Sequence, residues 1–275
     1  MDIGCGIGGP LRAISAFSGA AVTGVNNNEY QARSCAAAGQ ACGTQAPMSA
    51  CAIAAAASDA RRPGAQISRG RILNAKTGHH DHCGFLKADF MKVPAKANTF
   101  DAAYQLEATC HAPDIKGCYA EIFRLLKPGG CFASCDWVMT DKFDATNVAH
   151  KQCKEDICLG NGLPDLRSAK EAEEALRAVG FEVLEAYDLG ESSEIPWYDP
   201  IDKDRPLSLS GFRTTRVGRS LTHGMVTVLE KARLAPPGSA AVSSFLVKGA
   251  DALVVGGKLN IFTPMFFTLA RKPEK

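Results

Sequence analysis

The sequence predicts an α/β protein, a doubly wound and mainly parallel sheet with helices on both faces. Three observations predict it. A glycine-rich turn follows an apolar strand end at the start of the chain. Short apolar runs then alternate with segments whose apolar residues recur at helical spacing, the pattern of strands joined by crossover helices. The 275 residues, 46% hydrophobic and 22% charged, suffice for one large domain and exclude wholesale disorder.

The elements follow in order. Asp2 and Ile3 read as the tail of a buried strand. Pro10 suits the first turn of a helix, Leu11, Ile14 and Phe17 give that helix an apolar face, and Gly19 ends it. Ala21 to Val25 form the second strand, stopped by Asn26, Asn27 and Asn28. Residues 32–66 break the pattern, with 14 alanines, three cysteines and scarcely a large apolar side chain. They read as a flexible surface insertion with at most a short helix over Met48–Ala57. A helix is expected over 67–76, closing at Gly78, then a strand over Phe85–Ala88 that ends at Asp89. Phe100–Glu107 is the next strand. Asp114 is placed to cap a helix bearing Ile115, Cys118, Tyr119, Ile122 and Leu126 on one face, with the KPGG run stopping it. Cys131–Trp137 reads as a strand, Ser168 and Glu171 as a capping box for a helix over 169–179, and Phe181–Asp188 as a strand. The last third is less regular and ends in a strand around Ile261–Lys272.

Composition narrows function. A net charge of +2 offers no field to hold nucleic acid. Eleven scattered cysteines without a CxxC pair read as reduced thiols, neither a disulfide framework nor a metal site. No run of 18 apolar residues suggests a membrane-spanning helix, and no signal peptide is expected before the glycine run.

The chemistry starts at Asp2-Ile-Gly4-Cys-Gly6-Ile-Gly8-Gly9. Glycines let a backbone approach a ligand closely, and a helix N-terminus stands behind them. A dinucleotide turn would space them as G-x-G-x-x-G. The D-x-G-x-G-x-G run instead favours S-adenosylmethionine, with a plain tight turn as the alternative. Asn26 and Asn28 stand where a second strand presents polar groups to ribose hydroxyls. Asp89 stands where a carboxylate can accept from an adenine amino group, or simply cap a turn. With the LLKPGG turn, these signals in order indicate a Rossmann-like class I methyltransferase domain with Asp2, Gly4, Gly6, Gly8, Asn26, Asn28 and Asp89 at the cofactor.

Four segments carry a more specific resemblance. GCGIGGPLR with VTGVNNNEYQ, then LEATCHAPD, then WVMTDKFD with GNGLPD, and finally IFTPMFF resemble the sterol 24-C-methyltransferase family, over almost the whole chain apart from 32–66. The resemblance implies methyl transfer from S-adenosylmethionine to the C24 alkene carbon of a sterol such as cycloartenol or zymosterol. It implies a peripheral site on the cytosolic face of the endoplasmic reticulum and a homo-oligomer as a candidate state. It also implies an S-adenosylmethionine-binding domain over 1–188 and a C-terminal sterol methyltransferase region over 189–275. The alkene is itself the nucleophile, so the site needs a cation-stabilising group and a base. Glu107 is expected to stabilise the cation or a sterol hydroxyl, and His111 to act as base or hydrogen-bond partner. Asp136 and Trp137 line the same pocket, with Asp136 where the family commonly has Glu. Tyr104 is expected in the core, and Cys110 is not expected as a nucleophile. Trp197, Tyr198 and Pro200 are open to a sterol lid or to surface packing.

Two departures from the family stand out. Members carry a long N-terminal region with an aromatic segment, whereas this sequence opens inside the first strand. The run 32–66 interrupts a join between NNNEYQ and IxRG, and its composition resembles translated non-coding sequence. Two alternatives stay open at this point: a methyltransferase for another lipophilic acceptor, and a catalytically inactive fragment.

Overall fold

A computed structural model describes residues 1–27, 65–78, 81–204 and 212–275. One seven-stranded sheet organises them: β1 (Asp2–Ile3), β2 (Val22–Asn26), β3 (Cys83–Lys87), β4 (Phe100–Leu106), β5 (Leu126–Met139), β6 (Glu182–Asp188) and β7 (Phe262–Arg271). Their order is β3-β2-β1-β4-β5-β7-β6. The first five pair in parallel, and β7 runs antiparallel between β5 and β6. The helices are α1 (Gly9–Ser18), α2 (Ala65–Lys76), α3 (Ile115–Leu125), α4 (Val148–Asn161), α5 (Ala169–Ala178), α6 (Arg216–Lys231) and α7 (Ser239–Lys258).

Alternating strand residues feed two sides of the sheet. Val25 and Phe132 face a core with Tyr119, Ile122 and Leu125 of α3 and Leu176 of α5. Val22, on the opposite pleat of β2, packs with Leu11 of α1, Ile67 of α2 and Phe85. Met139 and Phe262 face a third cluster with Cys153 and Ile157 of α4 and Ala252 of α7. The sheet is thus doubly covered and mainly parallel, as the sequence predicts.

Local signals explain several boundaries. Gly19 caps α1 in the left-handed conformation, and its N–H donates to Ser15 O. Ser168 Oγ accepts from Glu171 N (3.2 Å) while Glu171 Oε2 accepts from Ser168 N (2.7 Å), a complete capping box on α5.

Other expectations need correction. Phe17 is 95% exposed; the inner face of α1 carries Leu11 and Ser15, whose hydroxyl donates to Ala20 O. Asp114 sits at the N-cap of α3 but its side chain makes no capping bond. The KPGG run does not lie between elements. Leu126 pairs with Phe100, and the N–H groups of Gly129 and Lys272 bond to Lys272 O and Gly130 O, so β5 begins at Leu126. Helices α4, α6 and α7 are additions to the sequence reading. α6 and α7 occupy the part that reads as less regular. The alanine-rich run lies outside the described residues up to position 64, including the Met48–Ala57 helix, and α2 begins at Ala65.

Candidate active site

The glycine turn leaves β1 at the carboxyl edge of the parallel strands. Gly4 N and Cys5 N both donate to Val25 O of β2, at 2.9 and 3.1 Å, which ties the turn to its neighbour. Gly4, Gly6 and Gly8 have φ of 72°, 52° and 78°, the left-handed region. The reasons differ. A Cβ at Gly4 would stand 2.3 Å from the Ala108 Cβ, so this glycine lets β1 and the loop after β4 touch. A Cβ at Gly6 would meet no protein atom within 4 Å; it would project into open space at the strand ends. Behind them, Gly8 caps α1 without a side-chain bond to the first helical N–H groups.

Asp2 is the charged member of this turn. It is 3% exposed, and Oδ2 has no hydrogen-bond partner. Burial pushes its carboxyl up to about 7, partly offset by the Tyr104 hydroxyl and the Met1 amine. Tyr104 itself is half-buried against the α1–β3 cluster, and its hydroxyl also lacks a partner of full hydrogen-bond geometry. A buried carboxylate short of a donor, beside a glycine that clears space for a ligand, fits the amino-acid end of S-adenosylmethionine, whose ammonium would supply the missing donor.

The flanking strands carry the other cofactor candidates. Asn26 ends β2; its Nδ2 donates to Gly6 O (3.3 Å) and its Oδ1 accepts from Asn27 N (2.9 Å), which braces the turn. Asn28 lies outside the described residues. Asp89 follows β3, and its Oδ1 accepts from Met91 N (2.8 Å), closing a turn at the same sheet edge.

The loop after β4 carries Glu107 and His111, the acid–base candidates. Glu107 has φ of 52°, an uncommon conformation for a residue with a side chain. Its N–H donates to Cys135 O of β5 (2.9 Å). Gln105, fully buried, clamps the loop: Oε1 accepts from Ala108 N (2.8 Å) and Thr109 N (3.3 Å), while Nε2 donates to Ser134 Oγ (2.5 Å) and Cys135 O (3.3 Å). A single turn over Thr109–His111 follows. There the Thr109 hydroxyl donates to Asp136 Oδ2, and Trp137 N donates to Asp136 Oδ1 (2.9 Å).

The electrostatics point one way. Burial raises the carboxyl of Asp136, against the hydrogen bonds from Thr109 and Trp137 N. Partial burial raises Glu107, against the pull of the Trp137 indole and with the repulsion of Asp136. Burial lowers His111, against Asp136 and the backbone of Gly162. Burial holds the Cys110 thiol well above its ordinary value, so it stays protonated. Glu107, His111 and Asp136 thus share one corner, next to Gly4 through Ala108. The corner opens on an apolar wall: the Trp137 and Phe262 rings meet edge-on at 5.5 Å, and Trp197 packs on Phe262 at 5.6 Å. Trp197 packs into this cluster. A groove between α4 and α7, lined by Gln152, Asp156, Lys248 and Val255, contains none of Glu107, His111 and Asp136.

Gln105, Thr109 and Ser134 escape a sequence reading. Each acts through a partner that β-pairing brings close, and no local spacing marks them. The glycine run and the left-handed Glu107 lie on adjacent parallel strands whose crevice is where open α/β sheets bind ligands. Fold and site together define a class I S-adenosylmethionine-dependent methyltransferase.

Comparisons narrow the class. Residues 41–134 match the methyltransferase domain model, and residues 209–274 match the sterol methyltransferase C-terminal model. The chain is 50% identical over 274 residues to cycloartenol-C-24-methyltransferase of Arabidopsis thaliana, covering 100% of this chain and 71% of that protein. It is 42% identical over 283 residues to sterol 24-C-methyltransferase of Kluyveromyces lactis, covering 100% and 67%. Among solved structures it is similar to geranyl diphosphate C-methyltransferase from Streptomyces coelicolor in complex with S-adenosyl-L-homocysteine. That match has a TM-score of 0.60 and 14% identity, and covers 98% of this chain and 72% of the other. It is also similar to phosphoethanolamine N-methyltransferase 2 of Haemonchus contortus with S-adenosyl-L-methionine, at a TM-score of 0.57 and 16% identity, covering 99% and 48%. These structural likenesses concern the fold. The chain belongs to the sterol 24-C-methyltransferase family.

Proposed function

We propose that this protein methylates C24 of a sterol side-chain alkene, with cycloartenol as the reference acceptor. We further propose that it works at the cytosolic face of the endoplasmic reticulum. The observation that carries the reading is the contact between Gly4 and Ala108, which joins the cofactor turn to the Glu107–His111–Asp136 corner. The cofactor, when bound at Asp2, Gly4, Gly6, Gly8, Asn26 and Asp89, would supply an electrophilic methyl group and leave as the neutral thioether S-adenosylhomocysteine, its sulfur keeping the electron pair of the broken S–CH3 bond. The alkene π pair forms the new C–C bond and leaves positive charge on C25. Glu107, as its carboxylate, stabilises that charge. A hydride moves from C24 to C25, and the cation then loses a proton to His111, which burial keeps neutral and able to accept it. Asp136, held by Thr109 and Trp137 N, stabilises the protonated imidazole. The Trp137–Phe262 wall keeps water from the cation and offers ring faces to it.

The acceptor test uses S-adenosylmethionine with a labelled methyl group. It is offered with cycloartenol, with zymosterol and with a tocopherol-type phenol. Label at C24 of a sterol is expected. Turnover on the phenol but on neither sterol contradicts the reading.

A further inference from the structure

The C-terminal helical hairpin carries an apolar surface that the site does not use. α6 and α7 are joined by Arg219 Nη1 donating to Asp251 (2.7 Å), and by Glu230, whose carboxylate accepts from Gly238 N (2.5 Å) and Ala240 N (2.7 Å) at the start of α7. α7 packs inward on α4. Gly249 and Gly160 approach so closely that a Cβ at Gly160 would have no room, and the Cys153 thiol donates to Ala252 O. α7 has the length and apolar composition of a membrane-crossing helix, yet it packs on α4 and carries Asp251 paired with both Arg219 and Lys203. It is therefore the floor on which α6 lies.

The outer face of α6 is apolar. Val217, Leu221, Met225 and Val228 recur at helical spacing and are 58%, 60%, 58% and 65% exposed. Leu234, just beyond the helix, is 78% exposed. The unpaired charge around this stripe is positive. From Arg216 to Leu234 the basic residues are Arg216, Arg219, Lys231 and Arg233, and the one acid is Glu230. Arg216 and Arg219 are paired with Asp204 and Asp251, and Glu230 is turned onto α7. Lys231 and Arg233 are exposed, with no acidic partner among the described residues.

We propose that this face of α6, with Lys231, Arg233 and Leu234 at its end, seats the protein on an anionic lipid bilayer, the helix lying in the plane of the interface. Such a stripe places its apolar side chains at the acyl boundary and its cations among the headgroups. A second copy is the poorer occupant, because an identical face brings more cations and no carboxylate to meet them. The proposal deepens the sterol reading by naming the surface that would face the substrate's bilayer. Lipid binding needs no turnover, so the two fail separately.

The test is flotation of the full chain, without cofactor, on two kinds of vesicle. One is phosphatidylcholine alone; the other holds roughly one quarter phosphatidylserine. Binding to the anionic vesicles is expected, weakening as salt rises. A Leu221→Ser, Val228→Ser double variant should bind about tenfold less, with its thermal midpoint unchanged. Lys231→Glu with Arg233→Glu should remove the preference for anionic vesicles. Several results would overturn the proposal. They are no vesicle binding, binding that the double variant leaves intact, or a dimer in sedimentation that the double variant dissolves. A lowered midpoint without lost flotation would also do so, since the face would then be covered within the chain. Methyl transfer to detergent-dispersed cycloartenol, followed in parallel, reports on the sterol reading alone.

Discussion

The two loops that form the proposed active corner hold left-handed backbone by different means. The turn after β1 does so with residue type: Gly4, Gly6 and Gly8 adopt positive φ without a Cβ to resist it. The loop after β4 does so with wiring. Glu107 keeps its side chain and a φ of 52° because Gln105 binds the next two N–H groups and Cys135 O binds its own. At Gly6 the bare backbone leaves open space for a ligand to approach, while Gly4 and Gly8 make room for Ala108 and Phe85. A loop that presents a carboxylate cannot be bare, so neighbouring strands have to hold it.

Breaking the glycine side should have the largest effect. Gly6→Val puts a branched side chain into the space that no protein atom fills and strains a φ of 52°. Calorimetry should show cofactor affinity falling by about 100-fold or more, while the fold persists. Undiminished affinity would separate the turn from the cofactor.

Breaking the wiring should act on stability and turnover together. Gln105→Leu leaves Ala108 N and Thr109 N buried without an acceptor, at a cost of about 2–4 kcal/mol in chemical denaturation. Turnover should fall with little change in cofactor affinity. Full stability in this variant would mean that the Glu107 conformation needs no clamp.

Proton linkage sharpens the glycine side. Folded Asp2 holds its proton up to about 7, whereas an unperturbed carboxyl releases it near 3.8. Its contribution to the stability of the free protein is therefore full below that lower value and lost as pH rises through about 7. Cofactor affinity should move the other way, rising through the same range as an ionised Asp2 meets the ligand ammonium. Asp2→Asn should flatten both profiles; a pH-independent affinity in the parent protein would remove Asp2 from the site. The smallest effect is expected on α1, where Phe17→Ser should change stability by less than about 0.5 kcal/mol, since the ring is 95% exposed.

The same contrast explains what could be read in advance. Glycine at alternate positions, Pro10, Gly19 and the Ser168–Glu171 box state their geometry locally, and the elements they bound are legible. So is the composition of the segment holding Glu107 and His111. Phe17 misleads because spacing alone cannot say which arc of a short helix faces the sheet. KPGG misleads because Phe100 and Lys272 supply pairing from far along the chain. Thr109, Gln105 and Ser134 come together around Asp136 and the Glu107 loop only when β4 and β5 align, and no local pattern records that register.

We take the turn after β1 and the corner after β4 to form one reaction site. Glu107→Gln tests it most directly, in single-turnover methyl transfer to cycloartenol with the cofactor dissociation constant measured on the same preparation. The methyl-transfer step should slow by about 100-fold or more while cofactor affinity stays within about twofold. Equal losses in both, or an unchanged transfer rate, would contradict it.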